Sequence, residues 1–389
     1  MSLPRLVILL SVVSLLNDGA SEMITPLLPI FLTAVLGAGA AVVGLVEGIA
    51  EAAASLLKYQ AGRLADRGWS PRGLVLGGYG LSSLARPAIG LCGAWAPVLV
   101  LRFLDRSGKG IRTAPRDALI AGSVPEAERG HAFGFHRGMD HVGSIIGPLL
   151  ATALLAAGAR LQQVFLLSLV PGLVMMTLLV FGLRDHEAPA AKADGLSLRW
   201  RELDARLRAL VIAAGGLALA IAPEAFLVLW ATQNGLGVAL VPLLWSAASV
   251  VKSAVAYGGG RWSDSVGRLP LLVGGWAARV AVLVALAFVP VTGSGIWAMF
   301  LLYAATLAVS EGPERALIGD VAPANQRATA FGLYHLVYGL LALPGGLLFG
   351  ALWQAAGSGT AFVVAAVLTT CGMLVMLRLA GRAVRRGAD

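Results

Sequence analysis

The loop sequence Gly62-Arg63-Leu64-Ala65-Asp66 is written a second time, 198 residues later, as Gly260-Arg261-Trp262-Ser263-Asp264. The same offset continues downstream and pairs Pro115 with Pro313, Arg129 with Arg327 and Gly134 with Gly332. A constant offset without a gap indicates an internal duplication, and the repeat length sets the architecture. In a membrane chain, two such halves are typical of transporters whose substrate site lies at the repeat interface.

Composition assigns the chain to the membrane. Of its 389 residues, 58% are hydrophobic and 13% are charged, whereas a soluble chain needs more polar side chains to cover its surface. Apolar stretches of about 20 residues, long enough to cross a bilayer, recur along the whole chain. We predict six spans in each half, at 6–34, 40–62, 73–94, 97–120, 130–157 and 162–183, and at 208–233, 239–259, 270–291, 296–318, 328–355 and 360–380.

These spans divide the chain into three parts. We predict an N-terminal six-helix bundle at 1–183, a cytoplasmic linker at 184–207, and at 208–389 a second six-helix bundle with a basic tail. Near the end of the linker, Trp200, Leu203 and Leu207 share one helical face. This pattern predicts a helix lying on the lipid surface, with a solvated linker helix as the alternative.

Loop charge predicts the orientation. The short connections after odd-numbered spans contain one basic residue, Arg160, whereas the opposite side carries most loop arginines and lysines. Positive residues stay cytoplasmic, so we expect an inner-membrane protein with both termini in the cytoplasm. The net charge of +9 then follows from topology, and we expect no nucleic-acid partner. The first apolar run contains Asn17, Asp18 and Glu22, and we interpret it as a span and not as a cleaved signal.

The repeated loop and the spans together resemble the major facilitator superfamily. In that family the loop between spans 2 and 3 reads Gly-x-Leu-x-Asp-Arg-x-Gly-Arg-Arg/Lys. The first copy supplies Gly62, Leu64, Asp66, Arg67 and Arg72, and the second supplies Gly260, Asp264, Gly267 and Arg268. The resemblance covers essentially the full chain and implies an all-α integral membrane fold. Its twelve transmembrane helices would form two pseudo-symmetric six-helix bundles that work by alternating access.

The repeated loop is also a candidate conformational latch. Glycine permits two helices to turn back closely, and a carboxylate there can accept hydrogen bonds from a helix N-terminus or from arginine. The predicted latch consists of Gly62, Asp66, Arg67, Arg112, Arg116, Gly260, Asp264 and Arg268. The alternative is a tight turn whose arginines only set topology.

Span 5 carries a glycine pattern that resembles the antiporter motif of the drug–proton branch. Gly134, Gly143, Gly147 and Pro148 match its spacing, although Ala151-Thr152 stands where that motif ends in two glycines. The resemblance favours export in exchange for protons over import. The alternative is ordinary close packing of glycine-rich helices.

Span 4 carries an unusual run of charge at helical spacing. On one face lie Arg102, Asp105, Arg106, Lys109, Arg112 and Arg116. Charges near mid-membrane are expensive and must face a cavity or partners. In the family, spans 1 and 4 line the central cavity, which would bring Asp18 and Glu22 near Arg102 and Arg106. We predict proton coupling by Asp18 and Glu22 with Arg102 tuning them, and a permanent ion pair with span 4 is the alternative.

Other polar residues within the spans complete the candidate sites. Glu51 and Asp140 are further candidates for proton coupling. We expect the substrate cavity to be lined by Asn17, Asp105, Arg106, Lys109, His136, Arg137, Glu224, Glu311, Tyr334, His335 and Tyr338. Histidine and carboxylate suit divalent metals, so the spacing of His136, Asp140 and His141 invites a metal interpretation, but we favour hydrogen bonding and expect no metal site.

The sequence shows no phosphate-binding loop of the ATPase type, no nucleophile elbow and no His-Glu-x-x-His motif, so we expect neither an enzyme nor a cofactor. We predict a secondary active transporter, namely a proton-coupled efflux antiporter of a small molecule. It would lie in the lipid bilayer and act as a monomer, with protons as the coupled ions. One alternative is an exporter of a metal ion or an anionic metal chelate of the nickel or iron–citrate kind. The segments 14–29 and 108–119 resemble a bacterial exporter subgroup loosely related to such proteins. Two further alternatives for the function are a proton-coupled importer and a non-transporting membrane sensor or membrane enzyme.

Overall fold

The computed structural model describes residues 3–66, 68–125, 129–183, 215–216, 219–220, 222–321 and 327–385. Nearly all of these residues are helical, and none of them is in a strand. The helices of the first half are α1 Arg5–Glu22, α2 Ala40–Asp66, α3 Pro71–Ala88, α4 Trp95–Gly122, α5 Arg129–Ala156 and α6 Leu161–Gly182. In the second half, the first four are α7 Glu224–Gln233, α8 Val241–Val266, α9 Arg268–Phe288 and α10 Ser294–Val321.

The remaining helical run, Arg327–Arg385, is interrupted at Gly357. Its φ of 84° lies in the left-handed region, which glycine adopts without steric cost. This residue separates α11 (327–356) from α12 (358–385). The described residues therefore contain twelve helical segments in the predicted order, and the predicted all-α membrane fold is confirmed.

The first span differs from its predicted extent, and the seventh is only partly described. The first was expected as one helix over 6–34, but α1 ends at Glu22 and is followed by a turn, a helical turn at Leu28–Ile30 and a π-helical turn at Phe31–Val35. Pro26 and Pro29 account for the break, because proline lacks a backbone N–H and disfavours helical geometry in the residue before it. Of the predicted seventh span, 208–233, the structure describes residues 215–216, 219–220 and 222–233, and its extent before residue 222 stays a prediction.

Six of the described helical stretches are long and apolar enough to cross a membrane. They are Ala40–Gly62, Phe135–Ala156, Leu161–Gly182, Val238–Val255, Arg268–Phe288 and Leu336–Arg378. With 28 residues, α4 is long enough to cross a membrane, but its charged residues make it less apolar than these six stretches. Its polarity is a property of the site described below.

The chain forms two compact units that do not follow chain order. Unit 1 comprises residues 1–38, 49–194 and 237–249, and unit 2 comprises residues 39–48, 195–236 and 250–389. The start of α2 therefore belongs to the unit of the second half, and the start of α8 belongs to the unit of the first half. The predicted parts 1–183, 184–207 and 208–389 are a partition by chain order and remain a prediction, and the predicted linker helix lies outside the described residues.

Each unit has its own apolar core. In unit 1, side chains from α1, α3, α4, α5 and α6 meet, including Val7, Leu10, Tyr79, Ile120, Met175 and Leu179. In unit 2, four aromatic rings from α7, α11 and α12 pack with centroids 4.9 to 6.0 Å apart, namely Phe226, Phe349, Trp353 and Phe362. Aromatic pairs at such distances add to the burial of apolar surface.

Candidate functional site

A buried arginine cluster joins three helices of unit 1. Asp105 on α4 accepts a hydrogen bond from Arg86 Nε on α3 at 2.7 Å and from Arg102 Nη1 at 3.2 Å. Arg86 also donates to the side-chain and main-chain oxygens of Asn17 on α1, at 2.7 and 3.1 Å. Buried charges are tolerated when they are paired and hydrogen-bonded, so this cluster fixes α1, α3 and α4 against each other.

The structure buries three residues of the sequence-based site, and the roles predicted for them stay predictions. Asn17 and Asp105 were expected to line the cavity and Arg102 to tune the proton carriers, yet their exposed fractions are 1%, 2% and 0%. Asn17 and Asp105 contact Arg86, and Arg102 contacts Asp105. Arg86 was not among the predicted site residues, although an isolated arginine inside an apolar stretch is itself a signal of a buried partner.

Towards the end of α4, two further arginines turn into unit 1. Arg112 donates to Ser82 Oγ at 2.9 Å and stacks over the Tyr79 ring, with 4.5 Å from its guanidinium carbon to the ring centroid. This is a cation–π contact, which gains strength when it is desolvated. Arg116 donates to Asp117 Oδ1 at 2.9 Å and to Ser14 Oγ at 3.2 Å.

The predicted latch is only partly described. The side chains of Asp66, Arg67, Gly260 and Asp264 lie outside the described residues. In the first copy, Gly62 faces Ala114 of α4, since a Cβ added at Gly62 would lie 3.5 Å from the Ala114 Cβ. In the second copy, Arg268 opens α9 directly after Gly267, whose φ is 95°. The latch contact between Asp66 and an arginine of α4 stays a prediction.

A second group of charged residues in unit 1 is less buried, and we call Asp18, Glu22, Glu51, Arg106 and Lys109 the mixed-charge cluster. Asp18, Glu22 and Arg106 are half-buried, whereas Glu51 and Lys109 are exposed. Asp18, Arg106 and Lys109 act electrostatically on Glu22, and Glu51 acts on Lys109. Exposed charges in the middle of membrane helices need water or a polar solute, because hydrocarbon does not solvate them. This cluster therefore marks the polar, accessible part of unit 1.

Glu22 has a partner from the second half of the sequence. The indole N–H of Trp245, at the start of α8, donates to Glu22 Oε2 at 2.9 Å. One residue on, Ser246 Oγ donates to the main-chain oxygen of Ile145 on α5 at 3.2 Å. Both contacts lie inside unit 1, so Trp245 belongs to the surroundings of the mixed-charge cluster, and no pattern in the sequence pointed to it.

On α5, three polar residues occupy very different environments. His136 and Asp140 have exposed fractions of 1% and 8%, and 3.8 Å separates His136 Nε2 from Asp140 Oδ1. The Arg137 side chain is 65% exposed, and its Nη1 lies 3.5 Å from Asp140 Oδ2. His136 is therefore buried and Arg137 is accessible, and the prediction that both line the cavity stays a prediction. Within the described part of the chain, no three histidine, cysteine or acidic side chains are grouped to hold a metal.

The glycines of α5 pack it against α1. A Cβ added at Gly147 would overlap the backbone of Gly19, and one added at Gly143 would overlap the main-chain oxygen of Leu15. Pro148 follows directly inside the helix, and the surroundings of Gly134 lie outside the described residues. Gly143 and Gly147 thus allow α5 to pack closely against α1, and the resemblance to the antiporter motif stays a prediction.

Unit 2 contains a carboxylate held by aromatic donors. Glu314 on α10 accepts from Trp276 Nε1 at 3.2 Å and from Tyr334 Oη at 2.9 Å. The rings of Tyr334 and Tyr338 lie 6.1 Å apart. Of the predicted cavity residues nearby, the side chains of Glu311 and His335 lie outside the described residues.

Two more polar contacts belong to unit 2. Lys252 Nζ on α8 donates to both carboxylate oxygens of Glu224 on α7, at 2.9 and 3.2 Å. Arg279 on α9 is 2% exposed and donates to Ser310 Oγ on α10 at 2.6 Å. Glu224, a predicted cavity residue, is therefore engaged by a lysine in this conformation.

Comparison with known proteins places this arrangement in a family. Residues 10–340 match the sequence profile of the Major Facilitator Superfamily. An uncharacterised MFS-type transporter of Methanocaldococcus jannaschii is 29% identical over 382 residues, which cover 96% of this chain and 95% of that protein. An uncharacterised protein of Mycobacterium tuberculosis is 28% identical over 392 residues, covering 96% of this chain and 93% of that protein.

Solved structures share the fold at low sequence identity. A bacterial homologue of the human lysosomal transporter Spinster, in an inward-facing and occupied conformation, gives a TM-score of 0.80 at 16% identity and 98% coverage of both chains. A nucleoside transporter gives 0.80 at 12% identity, covering 97% of this chain and 99% of that chain. A POT family transporter in complex with a conjugated peptide gives 0.78 at 14% identity, covering 97% of this chain and 96% of that chain.

Proposed function

Since the chain belongs to the Major Facilitator Superfamily and is a membrane transporter, we propose that it exports a small molecule in exchange for protons. The mixed-charge cluster is the observation that carries this proposal. It brings two half-buried carboxylates, Asp18 and Glu22, to a part of unit 1 where Lys109 and Glu51 are exposed. Carboxylates that change their exposure to water during a transport cycle can take up and release protons.

Competition is the simplest form of coupling at such a cluster. A cationic or hydrogen-bond-donating substrate favours the ionised form of Asp18 or Glu22, whereas a bound proton neutralises it. Each ligand then lowers the affinity for the other, and the coupling is reciprocal. The cell would use the proton gradient to release the substrate outside and to reset the carboxylates inside.

The arrangement of charge supports a location and an orientation. We propose an inner-membrane protein with both termini in the cytoplasm, because the basic loop residues concentrate on the side of the repeated loop. Our ground for proposing export is that the spacing of Gly134, Gly143, Gly147 and Pro148 in α5 resembles the antiporter motif. The proposed working form is a monomer.

A second candidate substrate class is a small organic anion or an anionic metal chelate. It is favoured by the accessible cations of unit 1, since Lys109 and Arg137 are exposed and Arg106 is half-buried. Arginine and lysine recognise carboxylate groups by charge-assisted hydrogen bonds. In this case the metal would be part of the cargo and would not be bound by protein ligands.

The deciding experiment is a flux screen with the purified protein in proteoliposomes. Three substrate classes are tested: lipophilic organic cations, small organic anions and metal–citrate chelates, each with and without an imposed pH gradient. We expect one class to accumulate only with the gradient, and to release protons from the vesicle lumen in step with uptake. If the accumulation of every substrate class were the same with and without the pH gradient, proton exchange would be contradicted.

A further inference from the structure

A buried pair of hydrogen-bond acceptors faces each other on α5. His136 Nε2 and Asp140 Oδ1 are 3.8 Å apart, and both atoms are shielded from solvent. Among the residues that the structure describes, neither atom has a hydrogen-bond partner. Buried polar atoms without a partner are uncommon, because each one loses its bonds to water. The pair therefore needs a donor that the described side chains do not supply.

The tautomer of His136 follows from its other ring nitrogen. Ser11 Oγ on α1 lies 3.4 Å from His136 Nδ1, and its hydroxyl donates to the main-chain oxygen of Val7 at 2.7 Å. A serine hydroxyl has one hydrogen, so Ser11 can only accept from the ring. His136 thus carries its hydrogen on Nδ1, and the lone pair of Nε2 points towards the region of Asp140 Oδ1.

We propose that His136 and Asp140 form a binding site for one proton, separate from Asp18 and Glu22. A proton taken from water forms either an N–H bond at His136 Nε2 or an O–H bond at Asp140 Oδ1. In both cases the new hydrogen is donated to the other atom, and the charge of the pair changes from −1 to zero. A small side-chain movement closes the 3.8 Å gap to hydrogen-bonding distance.

The charged groups around the pair come from three helices. Asp18 lies on α1, Arg116 and Asp117 lie on α4, and Arg137 lies on α5 itself. Of the further described segments that contact α5, Leu161–Leu167 and Val238–Leu240 contain no ionisable side chain, and α8 contacts α5 through Ser246. Arg137 reaches Asp140 Oδ2 at 3.5 Å and is mostly exposed. A proton on the pair cancels its net charge and so weakens the attraction between Asp140 and Arg137, which frees this arginine to turn towards water or substrate.

The proton site itself stands on the geometry, whereas its role in coupling rests on the proposed proton exchange. The first test uses histidine magnetic resonance on the full-length protein in detergent micelles. The chain has 5 histidines, so ¹⁵N-histidine labelling gives a countable set of ring signals, and His136→Gln identifies the one from His136. We expect an Nδ1–H tautomer at high pH. On acidification from about pH 8 to about pH 5, we expect either ring protonation or a new infrared band of a protonated carboxyl group.

Asp140→Asn is the decisive variant, because an amide can donate to Nε2 permanently and needs no proton. In this variant the pH-dependent change of the His136 signal and the carboxyl band should both be lost. His141→Gln is the matched control, since His141 is an exposed histidine on the same helix, and it should leave both signals unchanged. The proposal is overturned if His136 is an Nε2–H tautomer, or if the same pH response persists in Asp140→Asn.

The outcomes separate this site from the proposed function. If the wild-type protein shows the proton signal but transport ignores the pH gradient, the site exists and proton exchange is wrong. If transport follows the pH gradient and Asp140→Asn leaves the wild-type proton signal intact, proton exchange stands and this site is wrong. If both hold, Asp140→Asn should also reduce the number of protons released per substrate molecule.

Discussion

Arg86 joins three helices by itself, since it binds Asp105 on α4 and both oxygens of Asn17 on α1 from its place on α3. Arg102 also binds Asp105, so the carboxylate lies between two guanidinium groups. Removing one member of a buried ion pair leaves an uncompensated charge, which is far more harmful than losing an exposed pair.

Replacing Arg86 by methionine should therefore destabilise the protein by roughly 3–5 kcal/mol, measured as thermal unfolding in detergent. The matched control is Arg160→Met, because Arg160 is exposed at the N-terminal end of α6. Its effect should stay within about 0.5 kcal/mol. Equal unfolding temperatures for the two variants would show that the buried cluster contributes nothing to stability.

Helical spacing predicted which residues of α4 carry charge on one face, but it could not assign their partners. Arg102, Asp105 and Arg112 are buried, whereas Lys109 lies exposed on the same helix. The difference arises because α1 and α3 cover part of that face, and this depends on packing between helices far apart in sequence. Arg86 and Trp245 were missed for the same reason.

At the scale of helices, glycine decides how closely α1 and α5 approach. The main chain of Gly19 fills the space where a Cβ of residue 147 would stand. Gly147→Ala should destabilise the protein by about 1–3 kcal/mol, because the helices must separate to admit the methyl group. Unfolding in detergent measures the effect.

The control for Gly147 lies on the same helix. No atom lies within 4 Å of a Cβ added at Gly138, and alanine is favoured over glycine inside a helix by roughly 0.5–1 kcal/mol. Gly138→Ala should therefore leave the unfolding temperature unchanged or raise it. If Gly138→Ala destabilised the protein as much as Gly147→Ala, the close approach of α1 and α5 would not explain why residue 147 is glycine.

Unit 2 contains an equally close contact between the start of α2 and α11. A Cβ added at Gly44 would overlap the main-chain oxygen of Gly346. Gly44→Ala should destabilise the protein by about 1–3 kcal/mol, while Gly77→Ala, whose added Cβ meets nothing within 4 Å, should not. An unfolding temperature for Gly44→Ala as high as that of Gly77→Ala would contradict this packing.

Helix positions were the most predictable part of the fold, because apolar runs of membrane length are explicit in the sequence. The break after Glu22 was also readable from Pro26 and Pro29, but a strongly apolar run concealed it. The glycines of α5 were identified by their spacing, and their contacts with Leu15 and Gly19 came only from the structure.

At the scale of the whole molecule, the duplication predicted six helices in each half, and the order of helices agrees. It did not predict that residues 39–48 group with the second half and residues 237–249 with the first. This grouping of each segment with the other half depends on contacts such as those of Gly44 with Gly346 and of Trp245 with Glu22. These contacts are distant in sequence, and no local pattern encodes them.

The proposed exchange mechanism predicts that accumulation and downhill transport can be separated. Asp18→Asn and Glu22→Gln imitate the protonated carboxylates, so a variant lacking the essential carboxylate should still bind substrate and exchange it down its gradient. It should lose the accumulation that a pH gradient drives in the wild-type protein. Glu47→Gln is the matched control, since it removes a carboxylate of α2 outside the mixed-charge cluster.

The driving force explains why this loss should be large. Each elementary charge moved across the membrane is worth about 2.3 kcal/mol per 100 mV, and a carboxylate that carries a proton inward draws on this potential and on the pH gradient together. Without the coupling carboxylate, only the substrate gradient drives transport. Proteoliposomes loaded with substrate should then show counterflow but no accumulation of substrate against its gradient.

The Glu22→Gln variant also keeps an acceptor for the indole N–H of Trp245, which donates to Glu22 in the wild-type protein. A loss of accumulation in this variant therefore reflects the missing charge and not a missing hydrogen bond. If the double variant accumulates substrate as the wild type does, the coupling proton is not carried by Asp18 or Glu22, and Glu51 and Asp140 become the carboxylates to test.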